Sequence, residues 1–264
     1  MIEPKPFDYM PQGGADYLRH TEFDRSPVHR NRLACIVSMI DASGDTPCSI
    51  LEIGCGVGNI SIPIASLGHR VTGIDLHGPS VDAARAKSPL DNLTFLHKRL
   101  EEMDLSEFDV LVLTEVLEHV PGYREMMKRI SDGMKPGAKL IVTVPNGRCA
   151  AELMCRPSYV LKQSKLGGGL VRGVKRMLGT KDLTTANEQT PHVNFFTLNA
   201  LDKLFAAVAL EPRIFHRYFV TWLIWETFFS ERKLPASWPE KDFERSQRTK
   251  PSLCSLWAFL LEKK

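Results

Sequence analysis

The stretch Ile50-Leu51-Glu52-Ile53-Gly54-Cys55-Gly56-Val57-Gly58-Asn59 constrains the fold more than any other part of the chain. β-Favouring residues lead into a turn with glycine at alternate positions, and apolar residues follow at Ile60, Ile62, Ile64 and Ala65. That order is a strand delivering a ligand-binding loop to a helix N-terminus. Glycine suits the loop because a side chain would hold a ligand off the backbone, and because such turns often need positive φ. Asp75 lies 17 residues past Gly58, closing a second strand pattern, Arg70-Val71-Thr72-Gly73-Ile74. An acid at that strand end accepts hydrogen bonds from both hydroxyls of a ribose bound over the loop. The two features read as the nucleoside-binding half of a doubly wound sheet. The glycines lack the G-x-G-x-x-G spacing of a dinucleotide site and the Lys-Ser/Thr ending of a triphosphate site, so those ligands are excluded.

Glu52-x-Gly54-x-Gly56-x-Gly58 resembles motif I of the class I S-adenosylmethionine (SAM)-dependent methyltransferases. The resemblance continues in order through Asp75, through Phe108 to Val120, and through Met134 to Asn146. It implies an α/β fold, a Rossmann-like seven-stranded sheet with helices on both faces, carrying an N-terminal cap and an insertion after strand five. It also implies cofactor contacts from Glu52, Gly54, Cys55, Gly56, Gly58, Asn59, Asp75, Leu76, Leu100 and Thr114. One position departs from the pattern. Where many relatives carry an acid for the adenine amino group, Phe95-Leu96-His97-Lys98-Arg99-Leu100-Glu101 places Arg99. Adenine recognition then falls to the Leu100 backbone N–H and Glu101, or to Arg99 over the ring face.

A chain of 264 residues accommodates one such domain with additions. A net charge of +3 is too small to imply nucleic acid by itself. The 6 cysteines form no C-x-x-C pair, which argues against a zinc ribbon or a disulfide framework. Neither a leader-like apolar run nor a membrane-spanning stretch of roughly 18 residues occurs. The expectation is a cytoplasmic protein.

Along the chain, residues 1–48 read as a cap and helical segment, 49–147 as the SAM-binding core, 148–191 as a basic insertion, and 192–264 as the C-terminal part of the core. Tyr17, Arg19, His20, Arg25, His29 and Arg30 are the polar residues available to close over a substrate, or to form a solvated helix face. Leu33, Ile36, Val37 and Ile40 predict a helix over 28–40. Further helices are expected over 80–87, 123–134 and 198–208, the last capped by Thr197 or Asn199. Strands are expected over 70–75, 93–96, 110–113, 140–144, 213–218 and 253–261, with 230–251 a polar excursion. The segment 153–181 holds seven basic residues and no acidic one, around Gly167-Gly168-Gly169. It reads as a substrate lid, as a peripheral contact with an anionic membrane at its inner face, or as a solvated insertion. The aromatic run Phe219, Trp222, Trp225, Phe228 and Phe229 reads as core or as the wall of an acceptor pocket.

Glu115, Glu118 and His119 stand at i, i+3 and i+4, which on a helical turn points them to one side. Two carboxylates and an imidazole crowded together repel and desolvate one another unless a cation joins them. The E-x-x-E-H pattern, with a downstream His192, resembles the metal-dependent small-RNA 2′-O-methyltransferases, and E-V-L-E-H-V resembles the ubiquinone-type catechol O-methyltransferases. That likeness implies a divalent cation (Mg, Mn, Zn or Fe) on Glu115, Glu118, His119 and His192, with His119, His192 and Glu115 serving catalysis. A general-base role for His119 is the alternative. The pattern V-P-N-G, the basic insertion and H-V-N-F-F-T together resemble bacterial methyltransferases of surface-glycan and natural-product assembly. The leading expectation is O-methylation of a hydroxylated small molecule, a sugar or glycosylated intermediate. A polyprenylated catechol, an RNA ribose and SAM binding without catalysis follow in that order. Nucleic acid is disfavoured because no separate binding module is evident.

Overall fold

The strands alternate inward-facing residues on both sides, and this period sets the layers. The structure is a computed structural model that describes residues 27–44, 47–87, 90–149, 153, 192–221 and 238–263. Tyr17, Arg19, His20 and Arg25, the insertion apart from Arg148, Cys149 and Leu153, and Trp222 to Phe229 lie outside the described residues.

Helix α1 (Pro27–Asp41) precedes β1 (Ser49–Ile53), α2 (Ser61–Ser66), β2 (Arg70–Asp75), α3 (Gly78–Lys87) and β3 (Leu93–His97). The second half holds β4 (Val110–Thr114), α4 (Tyr123–Gly133), β5 (Lys139–Pro145), α5 (Leu198–Ala207), β6 (Leu210–Tyr218), α6 (Trp238–Arg248) and β7 (Leu256–Lys263). The strands form one sheet in the order β3-β2-β1-β4-β5-β7-β6, and only β7 runs antiparallel to its neighbours.

Ile50, Val110, Val112, Ile141, Ala258 and Leu260 pack on one face against Leu33, Ile36, Val37 and Ile40 of α1 and Ile64 of α2. Leu51, Ile53, Leu111, Leu113, Leu140, Val142, Phe259 and Leu261 pack on the other against Met127 and Ile130 of α4 and Leu201, Leu204 and Phe205 of α5. Burial on both faces is why β4 and β5 read as unbroken apolar runs. Each such side chain removed from water contributes roughly 1.5–3 kcal/mol.

The element expectations hold with shifted ends. Helix α3 begins at Gly78, with Pro79 in its first turn. Strand β6 begins at Leu210 and crosses Pro212 with a register shift before Ile214; Pro is tolerated there because β6 is an edge strand. Pro251–Leu253 is a 3₁₀ turn, and β7 starts only at Leu256. The polar excursion contains a helix the apolar pattern does not signal. Among the α6 residues whose burial is described, the buried positions are Asp242, Phe243 and Ser246, two of them polar. Asp242 accepts hydrogen bonds from Val220 N, Thr221 N and Thr221 Oγ1, which ties α6 to the end of β6.

In-register pairing of Ile53 with Ile74 and Leu113, and of Thr114 with Thr143, brings the glycine loop, Asp75 and Glu115 to one carboxyl edge. The strand order turns back at β1 and β4, the place where open α/β sheets bind ligands. No helix among the described residues is long and apolar enough to cross a membrane.

Candidate active site

The glycine loop is fastened to β2 by its own backbone. Gly54 N and Cys55 N donate to Ile74 O at 2.8 and 3.0 Å, and Gly56 N donates to Asp75 Oδ2 at 2.8 Å. Gly54, Gly56 and Gly58 all have positive φ, yet they serve different ends. A Cβ on Gly54 would stand 2.6 Å from Val116 Cγ2, and one on Gly58 2.7 Å from Phe95 Cζ. A Cβ on Gly56 would meet no atom within 4 Å. The first and last glycines therefore serve packing, whereas the middle one faces open space and leaves room for a ligand against the backbone.

Asp75 Oδ1 accepts from His77 N at 2.8 Å, so each carboxylate oxygen holds one backbone N–H and keeps further acceptor capacity. Beside it, Leu76 is 69% exposed, and its carbonyl is bonded to His97 Nε2 at 3.0 Å. Asn59, half-buried in the same loop, has a buried Oδ1 without a hydrogen-bond partner. Glu52 and Thr114 face each other inside the protein. Ser61 Oγ donates to Glu52 Oε2, and Thr114 Oγ1 lies 3.5 Å from Glu52 Oε1. Burial outweighs these bonds and pushes the Glu52 carboxyl up to about 8. Both residues thus underpin the loop from within. Leu100 is buried in the 3₁₀ turn Leu100–Glu102, and exposed Arg99 is engaged through its backbone N with Glu102 Oε2 at 2.6 Å.

Beyond Thr114 the helical spacing expected of Glu115, Glu118 and His119 breaks down. Glu115 has φ of 51°, and Leu117–His119 is a 3₁₀ turn. The left-handed residue leaves the helical register, and its carboxylate points elsewhere. Glu115 Oε1 accepts from Thr143 Oγ1 at 2.8 Å, and Oε2 lies 3.1 Å from Arg32 Nη2 on α1. Burial works against the Arg32 charge, but the carboxylate of Glu115, the neighbouring Tyr218 and the carboxylate of Glu118 outweigh it and hold the guanidinium protonated. Beside it, burial and then Arg32 push the His29 imidazole down to about 4.

Glu118, His119 and His192 do come together. One ligand atom from each lies within 4.8 Å of the others, a group that does not include Glu115. Glu118 is fully buried, and the His119 and His192 ring centroids are 5.0 Å apart. The approach of His192 is fixed by backbone. Val193 N and Asn194 N donate to Glu118 O at 2.8 and 3.0 Å, while Asn194 Nδ2 bonds Leu117 O and Val120 O. Gly147 admits the same segment, because a Cβ there would stand 2.5 Å from the Phe195 carbonyl carbon. Asn146 of the V-P-N-G pattern binds the backbone of Ser252 and Cys254 and anchors the approach to β7.

Arg32, Thr143, Tyr218 and Asn194 are site residues that pattern reading passed over. Arg32 had a signal. It stands four residues before Ile36 and eight before Ile40, a cation on the apolar stripe of α1.

A family model described as a methyltransferase domain matches residues 24–212. A ubiquinone biosynthesis O-methyltransferase of Coxiella burnetii is 33% identical over 108 residues, which cover 39% of this chain and 46% of that protein. A mitochondrial ubiquinone biosynthesis O-methyltransferase of Schizosaccharomyces pombe is 32% identical over 111 residues, 40% of each chain. The matched stretches thus span less than half the length of these curated relatives. Among solved structures, a magnesium protoporphyrin IX methyltransferase from Synechocystis PCC 6803 with bound SAH superposes with a TM-score of 0.57 at 16% identity, covering 97% of each chain.

Proposed function

The chain belongs to the methyltransferase-domain family, and from that premise we propose that it is a SAM-dependent O-methyltransferase whose acceptor presents a hydroxyl next to a second oxygen. One observation carries the reading: the open cradle at Gly56 and the gathered Glu118, His119 and His192 occupy the same carboxyl edge. When bound, SAM supplies a methyl already activated on a sulfonium, which leaves the chain to align an acceptor and ready its oxygen. Asp75 receives the ribose hydroxyls with the acceptor capacity its two backbone bonds leave over. Asn59 Oδ1, a buried acceptor awaiting a donor, suits the ammonium of the methionyl part.

On the acceptor side, Glu118, His119 and His192 would hold a divalent cation. One carboxylate and two imidazoles suit Mn, Fe or Zn, and Mg is accommodated less well by nitrogen. Such a cation supplies Lewis acidity that makes a neighbouring hydroxyl easier to deprotonate. A sugar or glycosylated natural product with adjacent hydroxyls satisfies this chemistry. A catechol satisfies it equally, and the curated relatives, named for ubiquinone biosynthesis, favour that second reading.

The test is methyl transfer from SAM to a panel of vicinal diols and catechols, with and without a chelator, alongside calorimetric SAM titration. SAM binding with transfer abolished by chelator and restored by one divalent ion is the expected result. Transfer that ignores the chelator would remove the cation and leave the two imidazoles as candidate bases. Failure to bind SAM would end the methyltransferase reading.

A further inference from the structure

The cation site has a neighbour that changes what it can be. Glu115 is one turn from the cluster in sequence and carries the right chemistry, yet its carboxylate is held by two groups on other elements. Thr143 Oγ1 on β5 takes one oxygen at 2.8 Å and Arg32 Nη2 on α1 the other at 3.1 Å. Arg32 is largely buried, its side chain 13% exposed, so the pair is poorly screened by solvent. The backbone agrees with the side chain. Glu115 adopts φ of 51°, and its N–H donates to Thr143 O at 3.1 Å, so main chain and carboxylate both turn toward β5 and α1. A non-glycine residue in that conformation persists only where the surroundings over-determine it.

Building on the cation site proposed above, we infer that Arg32 is a positioning residue that withholds Glu115 from that site. The site then has three protein ligands, Glu118, His119 and His192, instead of four. Three ligands matter because a divalent ion of this class takes up to six donors. Each protein ligand withheld leaves a position for an acceptor oxygen, and an acceptor with two adjacent oxygens needs two. A fourth protein carboxylate would tighten the ion and reduce that room. Arg32 also offsets the charge of Glu115, so the buried edge does not carry two uncompensated carboxylates beside one another.

The experiment is titration of full-length protein with Mn²⁺, followed by the loss of the free-ion paramagnetic resonance signal, for wild type, Arg32→Gln, Glu115→Gln and His192→Ala. Arg32→Gln releases Glu115 and is expected to bind Mn²⁺ at least tenfold more tightly than wild type while transferring methyl more slowly. Glu115→Gln is expected to keep Mn²⁺ affinity within tenfold of wild type, because that carboxylate is not a ligand. Unchanged or weaker binding by Arg32→Gln overturns the inference, as does a loss beyond tenfold in Glu115→Gln. Should Arg32→Gln fail to fold, the Glu115→Gln arm decides alone. Wild type that binds no Mn²⁺, or binds it as well as His192→Ala does, instead overturns the cation site itself.

Discussion

Gly56 and Gly58 are two residues apart in one loop, and alanine should affect them in opposite ways. Both have positive φ, 52° and 82°, so each alanine incurs the left-handed strain of an L-residue, about 1–2 kcal/mol. At Gly56 nothing is added to that, since the new methyl meets no atom within 4 Å. At Gly58 the methyl would sit 2.7 Å from Phe95 Cζ and 3.1 Å from Ile62 Cδ1. Phe95 is buried among Cys55, Ile62, Val81 and Ala84 and has little room to retreat, which adds roughly 1–3 kcal/mol of overpacking. For a chain of this length about 1 kcal/mol lowers Tm by roughly 2–4 °C. Gly56→Ala should therefore melt roughly 2–8 °C below wild type, and Gly58→Ala roughly 4–20 °C below it. The order reverses for SAM. In calorimetry on folded protein, Gly56→Ala should lose at least about tenfold in affinity, because the methyl fills the space where the ligand meets the backbone. A Gly56→Ala protein that binds SAM like wild type would refute the cradle, and a Gly58→Ala protein that melts like wild type would refute the packing argument.

Asp75→Ala removes a charged acceptor and should weaken SAM binding by roughly 1–3 kcal/mol; unchanged titration takes Asp75 out of the site. Glu52 adds a pH dependence of definite sign. Its folded pKa, pushed up to about 8 by burial, lies above the unfolded value, so the folded state binds more protons between about pH 4.5 and 8. Stability from this group is complete below the unfolded value and is lost as pH rises through the folded one. Glu52→Gln should flatten that slope in denaturant melts, and an identical slope in both proteins would show that Glu52 is not its source. Asp242→Ala deprives Val220 N, Thr221 N and Thr221 Oγ1 of their acceptor and should cost about 1–3 kcal/mol, measured by urea melts of the two proteins.

Much of the fold was legible because it rests on period and punctuation. The runs Val110–Leu113 and Leu140–Val144 are apolar throughout because both sheet faces are covered, and the glycine loop and Asp75 mark two strand ends directly. Helix α6 was illegible for the converse reason. Its inward face is Asp242, Phe243 and Ser246, so the buried positions carry hydrogen bonds where a reader looks for oil. The candidate site divides in the same way. Glu118, His119 and His192 were legible from residue type and order. The orientation of Glu115 was not, because one left-handed φ cancels an i, i+3, i+4 argument and residue type alone does not announce that φ for a glutamate.

Crowded carboxylates at the acceptor edge demand a bound cation only while no protein cation is within reach, and Arg32 is within reach of Glu115. Repulsion between Glu115 and Glu118 is therefore answered inside the protein and is no longer evidence for a metal. What remains is more specific. His119 and His192 come from segments more than seventy residues apart, and backbone bonds from Val193 and Asn194 to the Glu118 carbonyl hold the second imidazole beside the first. Two imidazoles gathered beside a buried carboxylate suit a cation with nitrogen affinity. By this reasoning the proposed cation would rest on the two imidazoles and one carboxylate, and Arg32, by holding Glu115 away, would leave more of that ion for the acceptor.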